Sequence, residues 1–200
     1  QERYYEDPMQ IERGWKHHLI DTTGRAYIDM VNNVTGLGHG HPAVADAVNR
    51  QIRLLGTNSR FLYRGLAEYS ERLLATLPNG SKLDTVLLVN SGSEAVETAM
   101  KIAVQYWQEK GQNDKTIFLS RWNSYHGITN GALSLSGFYE RRYRFTHMLH
   151  KYPAASAPNC YRCRLSHPEC QEACVKEIEL AVKRIGKQFI AGFVAEPVIG

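Results

Sequence analysis

The chain has 200 residues, 43% of them hydrophobic and 22% charged, enough to bury a core without disulfide or metal staples. No apolar run approaches the roughly 18 residues a membrane span needs, which excludes a helical membrane protein. Lys+Arg 24 against Asp+Glu 20 leaves a formal charge of +4, spread along the chain, too mild to argue for a nucleic-acid partner.

In chain order, His18-Leu19-Ile20 and Ala26-Tyr27-Ile28 flank Asp21-Thr22-Thr23-Gly24 and predict a β-hairpin. Gly36, Gly38 and Gly40 punctuate a loop, and His41-Pro42 opens a helix striped by Val44, Val48, Ile52 and Leu55. A second helix is predicted from Gly65 to Leu77, with Leu66, Tyr69, Leu73 and Leu77 on one face, stopped by Pro78-Asn79-Gly80. Alternation of strand and helix follows. Thr85-Val86-Leu87-Leu88-Val89 has the continuous apolar character of a buried parallel strand. The next helix carries Val96, Ala99, Met100, Ala103, Val104 and Trp107 at i, i+3, i+4 spacing, until Gly111. Strands are predicted at Thr116–Leu119 and Phe189–Val194, separated by a long irregular stretch and a helix over 172–185. This order argues an α/β fold with a largely parallel sheet.

The sharpest local signal is strand, Asn90-Ser91-Gly92-Ser93, helix. Glycine lets backbone approach an anion, serines supply hydroxyls, and the helix start offers N–H groups and a positive dipole end. Neither a P-loop ending nor a G-x-G-x-x-G fingerprint accompanies it, so a nucleotide is disfavoured. On the motif alone, simple helix capping by Ser91 or Ser93 explains the pattern equally well. Tyr125-His126-Gly127 is likewise compatible with a half-buried loop, and Glu196, ending an apolar run, with a structural ion pair. Two histidines in Gly38-His39-Gly40-His41-Pro42 invite a metal reading, but no nearby carboxylate or cysteine completes a set. Cys160, Cys163, Cys170 and Cys174 fall within fifteen residues at C-x2-C-x6-C-x3-C spacing. That spacing suits a metal, while packed reduced thiols suit a cytosolic enzyme.

Taken in register, Gly38-His39-Gly40-His41-Pro42, Asn90-Ser91-Gly92-Ser93-Glu94-Ala95, Tyr125-His126-Gly127 and Ala195-Glu196-Pro197 resemble the class III (ω-type) aminotransferases. The resemblance implies the PLP-dependent transferase fold type I, with a mostly parallel large domain and a small domain, here truncated. It assigns residues 1–60 to the small domain and dimer interface, and 61–200 to the first part of the cofactor domain, with a cysteine-rich insert at 158–174. It implies pyridoxal 5'-phosphate as cofactor, with Gly92 and Ser93 at its phosphate, Tyr125 on the ring face, His126 in support and Glu196 beside cofactor and substrate. No metal function carries over to the four cysteines. A cytoplasmic homodimer acting on amine and keto-acid substrates is expected. The Schiff-base lysine and the aspartate that pairs with the pyridine nitrogen are expected beyond Gly200, since Lys101 and Lys115 match no family motif. The chain accordingly reads as the N-terminal half of an enzyme.

Met30-Val31-Asn32-Asn33-Val34 and Asn58-Ser59-Arg60-Phe61-Leu62-Tyr63 resemble a branch of the same fold, the phospholyases of phosphoethanolamine or phosphohydroxylysine. There Asn33 and Arg60 would belong to the substrate pocket, with Arg60 or a neighbouring basic group meeting a phosphate. A third possibility is a non-catalytic interaction module that keeps the cofactor loop as scaffold.

Overall fold

The computed structural model describes residues 5–163, 165 and 168–199. The chain divides into two compact units, 1–81 and 82–200.

In the first unit, β1 (Ile11–Trp15), β2 (His18–Asp21) and β3 (Ala26–Ile28) form an antiparallel sheet in that order. The β2–β3 hairpin matches the sequence reading. Its turn is held by Asp21, whose Oδ1 accepts the N–H groups of Thr23 (2.9 Å) and Arg25 (3.0 Å) while Oδ2 accepts the Tyr27 hydroxyl (3.0 Å). Strand β1 was not foreseen because Ile-Glu-Arg-Gly-Trp mixes charge and glycine where alternation is expected. Glycine at position 14 is required by close approach: a Cβ there would overlap the His39 ring. His39 itself is structural, pairing its backbone with Lys16 and setting Nε2 2.6 Å from Asp29 Oδ2. Asp29 also accepts the N–H groups of Val31 and Asn32, and these bonds, that from Asn32 first, hold its carboxyl far below the usual range.

Helices α1 (Pro42–Leu54) and α2 (Arg64–Leu74) follow. Pro42 occupies the first turn, where its missing N–H costs nothing. Both helices are amphipathic as read, and α2 ends a turn earlier than expected. Their apolar stripes, including Val48, Ile52 and Tyr69, are exposed.

The second unit opens with a departure. Residues 85–89 form no strand, and Leu87, Leu88 and Val89 are exposed. An apolar run supplies only half of a strand; the other half is a neighbour for its N–H and C=O groups, and among the described residues none pairs with it. Helix α3 (Gly92–Glu109) then packs against a parallel sheet ordered β5-β4-β6, made of β5 (Ala154–Ala155), β4 (Ile117–Arg121) and β6 (Ile190–Phe193). Both pairings of β4 are parallel, Ser120 opposite Ala154 and Leu119 opposite Phe193. The crossover to β5 carries two short helices, α4 (Asn130–Leu135) and α5 (Tyr139–Arg142); the one to β6 carries α6 (Glu169–Ile185).

Met100, Phe118, Leu135 and Ala191 form the core, with Val96, Val104, Trp107, Tyr152 and Val194 packed round it. Each large apolar side chain removed from water contributes roughly 1.5–3 kcal/mol. The Trp107 indole N–H adds direction, donating to the Ala191 carbonyl at 2.8 Å.

Candidate active site

Parallel strands β4 and β6 run side by side and end at one sheet edge, so the loops after them emerge together. In open α/β sheets that carboxyl edge is where ligands bind. The first loop carries Tyr125, His126 and Gly127; the second carries Glu196. Their meeting is direct: the backbone N–H of Tyr125 donates to Glu196 Oε2 at 3.0 Å.

The start of α3 joins them. Ser91 caps the helix, its hydroxyl accepting Glu94 N–H at 3.2 Å, while Glu94 Oε2 accepts Asn90 N–H at 2.8 Å. This reciprocal cap divides the labour of the two serines. Ser93 does something else: its hydroxyl accepts the N–H of Ile128 at 3.0 Å, fastening the Tyr-His-Gly loop to the helix start. Gly127, at φ +130°, makes this approach possible. A Cβ there would sit 2.5 Å from Ser93 Oγ and 2.9 Å from both Ser93 Cα and Ala132 Cβ.

His126 is buried. Its backbone N–H donates to Ser136 Oγ at 2.8 Å, and Ser136 in turn donates to the Ala132 carbonyl at 2.9 Å. The ring Nε2 is buried and has no hydrogen-bond partner among the described residues. Burial pulls its pKa below the ordinary histidine value, and the nearby Glu196 charge opposes that shift. Tyr125 is half-exposed, and the Arg141 guanidinium lies 5.1 Å from its ring centroid.

A supporting tier was not legible in the sequence. Glu97, on the first turns of α3, accepts the N–H groups of Gly131 (2.7 Å) and Ala132 (3.3 Å), closing the start of α4. Burial raises its pKa, yet the Thr129 hydroxyl, these two N–H groups and Lys101 together bring it below the ordinary glutamate value. At the other end of α4, Arg142 Nη1 donates to the carbonyls of Leu133 (2.8 Å), Ser134 (2.9 Å) and Ser136. Thr129 before a short apolar run was the available signal for α4; nothing nearby in sequence pointed to Glu97 as its partner.

The remaining candidates belong to other segments of the chain. Asn33 is exposed in the turn after Asp29, its N–H donating to the Val31 carbonyl at 2.8 Å. Arg60 is exposed on a segment that Asn58 braces through Phe61 N and O. Both belong to the first unit, whereas Gly92, Ser93, Tyr125, His126 and Glu196 all belong to the second. Cys160 is exposed, Cys163 and Cys174 are half-buried, and Cys170 is buried; none forms a disulfide. Among the described residues, no three His, Cys, Asp or Glu side chains are grouped to hold a metal ion.

The second-unit cluster fits a phosphorylated aromatic ligand. The N–H groups of Gly92 and Ser93 are the ones that intrahelical bonding leaves over, and they sit at the positive dipole end. A Cβ at Gly92 would meet nothing within 4 Å among the described residues, so the helix start is open to an anion. Ser93 keeps its hydroxyl proton after accepting from Ile128. An unpaired buried imidazole nitrogen and an accessible tyrosine ring lie on the loop that Ser93 fastens to this helix start.

Comparison with known proteins identifies the family. The family described as class-III aminotransferase matches residues 2–200. The uncharacterized aminotransferase YodT of Bacillus subtilis is 52% identical over 193 residues, covering 92% of this chain and 42% of the relative. An ethanolamine-phosphate phospho-lyase homolog of Caenorhabditis elegans is 34% identical over 144 residues, 72% of this chain and 28% of the relative. Among solved structures, the omega transaminase of Pseudomonas jessenii in complex with PMP superposes with a TM-score of 0.91 at 28% identity, over 100% of this chain and 47% of that one. A PLP-bound amine transaminase from an uncultivated Pseudomonas species gives 0.89 at 30% identity, over 98% and 46%. The chain thus spans less than half the length of these proteins. Its architecture is that of the pyridoxal-phosphate transferases of fold type I, and the family's cofactor is pyridoxal 5'-phosphate. The chain belongs to the class III aminotransferases.

Proposed function

We propose that the protein carrying this chain transfers an amino group from a primary amine or ω-amino acid to a keto acid such as pyruvate or 2-oxoglutarate. The observation that carries this reading is the convergence of Ser93, Tyr125, His126 and Glu196 at one sheet edge. When bound, pyridoxal phosphate supplies an electron-withdrawing ring that stabilises negative charge on the carbon next to the amino group.

This chain's residues do the holding. Gly92 and Ser93 receive the phosphate through backbone N–H and hydroxyl, where the helix dipole offsets its charge. Tyr125 sets the plane of the ring and keeps water from it. Arg141 already covers one face of Tyr125, which leaves the other for the cofactor. Glu196 fixes Tyr125 through its N–H and places a carboxylate beside the reacting end. Neutral His126 offers Nε2 to the bound ligand as a hydrogen-bond partner that adds no charge. The first unit belongs to the small domain and a homodimer interface in this reading, supported by the exposed apolar stripes of α1 and α2. A cytoplasmic setting belongs to the same reading, supported by four cysteines free of disulfides.

The test is amino transfer by the full-length protein with added cofactor, scored as alanine or glutamate formed from pyruvate or 2-oxoglutarate. Formation with ω-amino acid or primary amine donors supports the assignment; no product with either acceptor overturns it.

A second reading is favoured by one finding, the similarity to an ethanolamine-phosphate phospho-lyase homolog. Exposed Arg60 would then meet a substrate phosphate. Release of inorganic phosphate from phosphoethanolamine supports this reading; its absence removes it.

A further inference from the structure

The cysteines are not used by the proposed reaction, and their arrangement is specific. Cys160 opens a 3-10 turn, Cys160–Arg162, that Asn159 caps by accepting Arg162 N–H at 3.2 Å. Cys170 lies in the first turn of α6 and is 2% exposed. The two sulfurs are 3.5 Å apart. From this geometry we propose that Cys160 and Cys170 are a redox-modification site, converted to a disulfide by low-molecular-weight disulfides.

A disulfide has sulfurs about 2.05 Å apart, so bonding asks the pair to close by about 1.5 Å, within reach of side-chain rotation and a small yielding of the turn. Tyr161, beside Cys160, is 94% exposed, so packing does not oppose that movement. The order of events follows from exposure. The Cys160 thiolate attacks one sulfur of the reagent, forming a mixed disulfide and expelling the first reagent thiolate. The Cys170 thiol then attacks the Cys160 sulfur, passing its proton to the second reagent thiolate as that leaves and the mixed bond breaks. Two protein thiols are oxidised, one reagent disulfide is reduced to two thiols, and the two protons leave with them. The Cys163 and Cys160 thiols push Cys170 up to about 12, so it remains a thiol and the exposed cysteine meets the reagent first.

The bond has a structural consequence. Glu177 of α6 already holds the near end of the excursion after β5, accepting Ser156 N–H at 3.1 Å and the Ser156 hydroxyl at 3.0 Å. A Cys160–Cys170 bond ties the Cys160–Arg162 turn to the first turn of the same helix.

The experiment equilibrates the full-length protein across ratios of reduced to oxidised glutathione, traps thiols by alkylation, and maps peptides by mass. The expected result is a peptide pair joined through Cys160 and Cys170, lighter by two hydrogens, absent in Cys160→Ser and Cys170→Ser and retained in Cys163→Ser. Tryptic cleavage after Arg162, in the turn that Cys160 opens, is expected to slow on oxidation. Because Cys170 is buried and its variant is at risk of misfolding, exposed Cys160→Ser carries the decision. No cross-link under fully oxidising conditions overturns the proposal. So does a bond made through Cys163 or Cys174 instead, or a stoichiometric metal that shields all four thiols from alkylation.

Discussion

The Glu196 carboxylate accepts the backbone N–H of Tyr125 at 3.0 Å, joining residues 71 positions apart in the chain. The bond exists because β4 and β6 are parallel neighbours that pair Leu119 with Phe193 near their ends, so a one-residue slip there would separate the two groups.

Replacing Glu196 by alanine therefore loosens the Tyr125 loop before it touches global stability. The bond is exposed to solvent and contributes only about 0.5–1.5 kcal/mol. Hydrogen exchange of the Tyr125 amide is expected to accelerate in Glu196→Ala and to stay slow in Glu196→Gln, which keeps an acceptor oxygen. Equal exchange in both variants would sink the idea.

Gly127→Ala should be far more damaging. It adds a Cβ in a left-handed backbone region and drives it into Ser93 and Ala132. Conformational strain of about 1–2 kcal/mol and overlap of about 1–3 kcal/mol combine. A urea midpoint lowered accordingly, with cofactor absorbance lost from the protein fraction after gel filtration, is the expected outcome. Wild-type retention of cofactor in the variant would show that the Ser93–Ile128 bond is not needed for binding.

Glu97 gives a pH signature. Its carboxyl is held below the ordinary glutamate value, so its stabilising contribution is complete above about pH 4.3 and is lost as pH falls through the lower folded-state value. Glu97→Gln is expected to cost about 1 kcal/mol near neutrality. The gap to wild type should then shrink as acid protonates Glu97. Denaturant titrations at a series of pH values check this; a gap that widens in acid would contradict it.

His126 titrates in the other chemical range. Burial lowers its pKa and Glu196 partly restores it. Proton NMR should place the wild-type midpoint below about 6.5. The stability linked to the neutral ring is complete above that value and lost as pH falls through the depressed one. In Glu196→Gln the midpoint should move lower still; a rise would mean that the two groups do not sense each other.

Much of this arrangement was legible in the sequence because local rules govern it. Ser91 as a cap, the α3 stripe, and the Asp21–Gly24 turn follow from neighbours within a few residues. The strand expected at 85–89 failed for the opposite reason: apolar character is local, whereas pairing depends on another segment. The same limit hid α4, whose first N–H groups depend on Glu97, more than thirty residues upstream. Ser93 marked the proposed cofactor loop, but its bond to Ile128 was invisible until the Tyr-His-Gly loop was seen folding back. Arg142, gathering the last carbonyls of α4, had no sequence signature at all.

The indole of Trp107 reaches a carbonyl on Ala191, 84 residues further along. During synthesis α3 and β4 leave the ribosome first, with Met100 and Phe118 awaiting the Ala191 that completes their cluster. At about 5–20 residues per second that interval lasts several seconds, far longer than helix formation takes. The nascent chain therefore waits with an unfinished hydrophobic centre, and timing, as much as contact energy, decides how much of it reaches the native state.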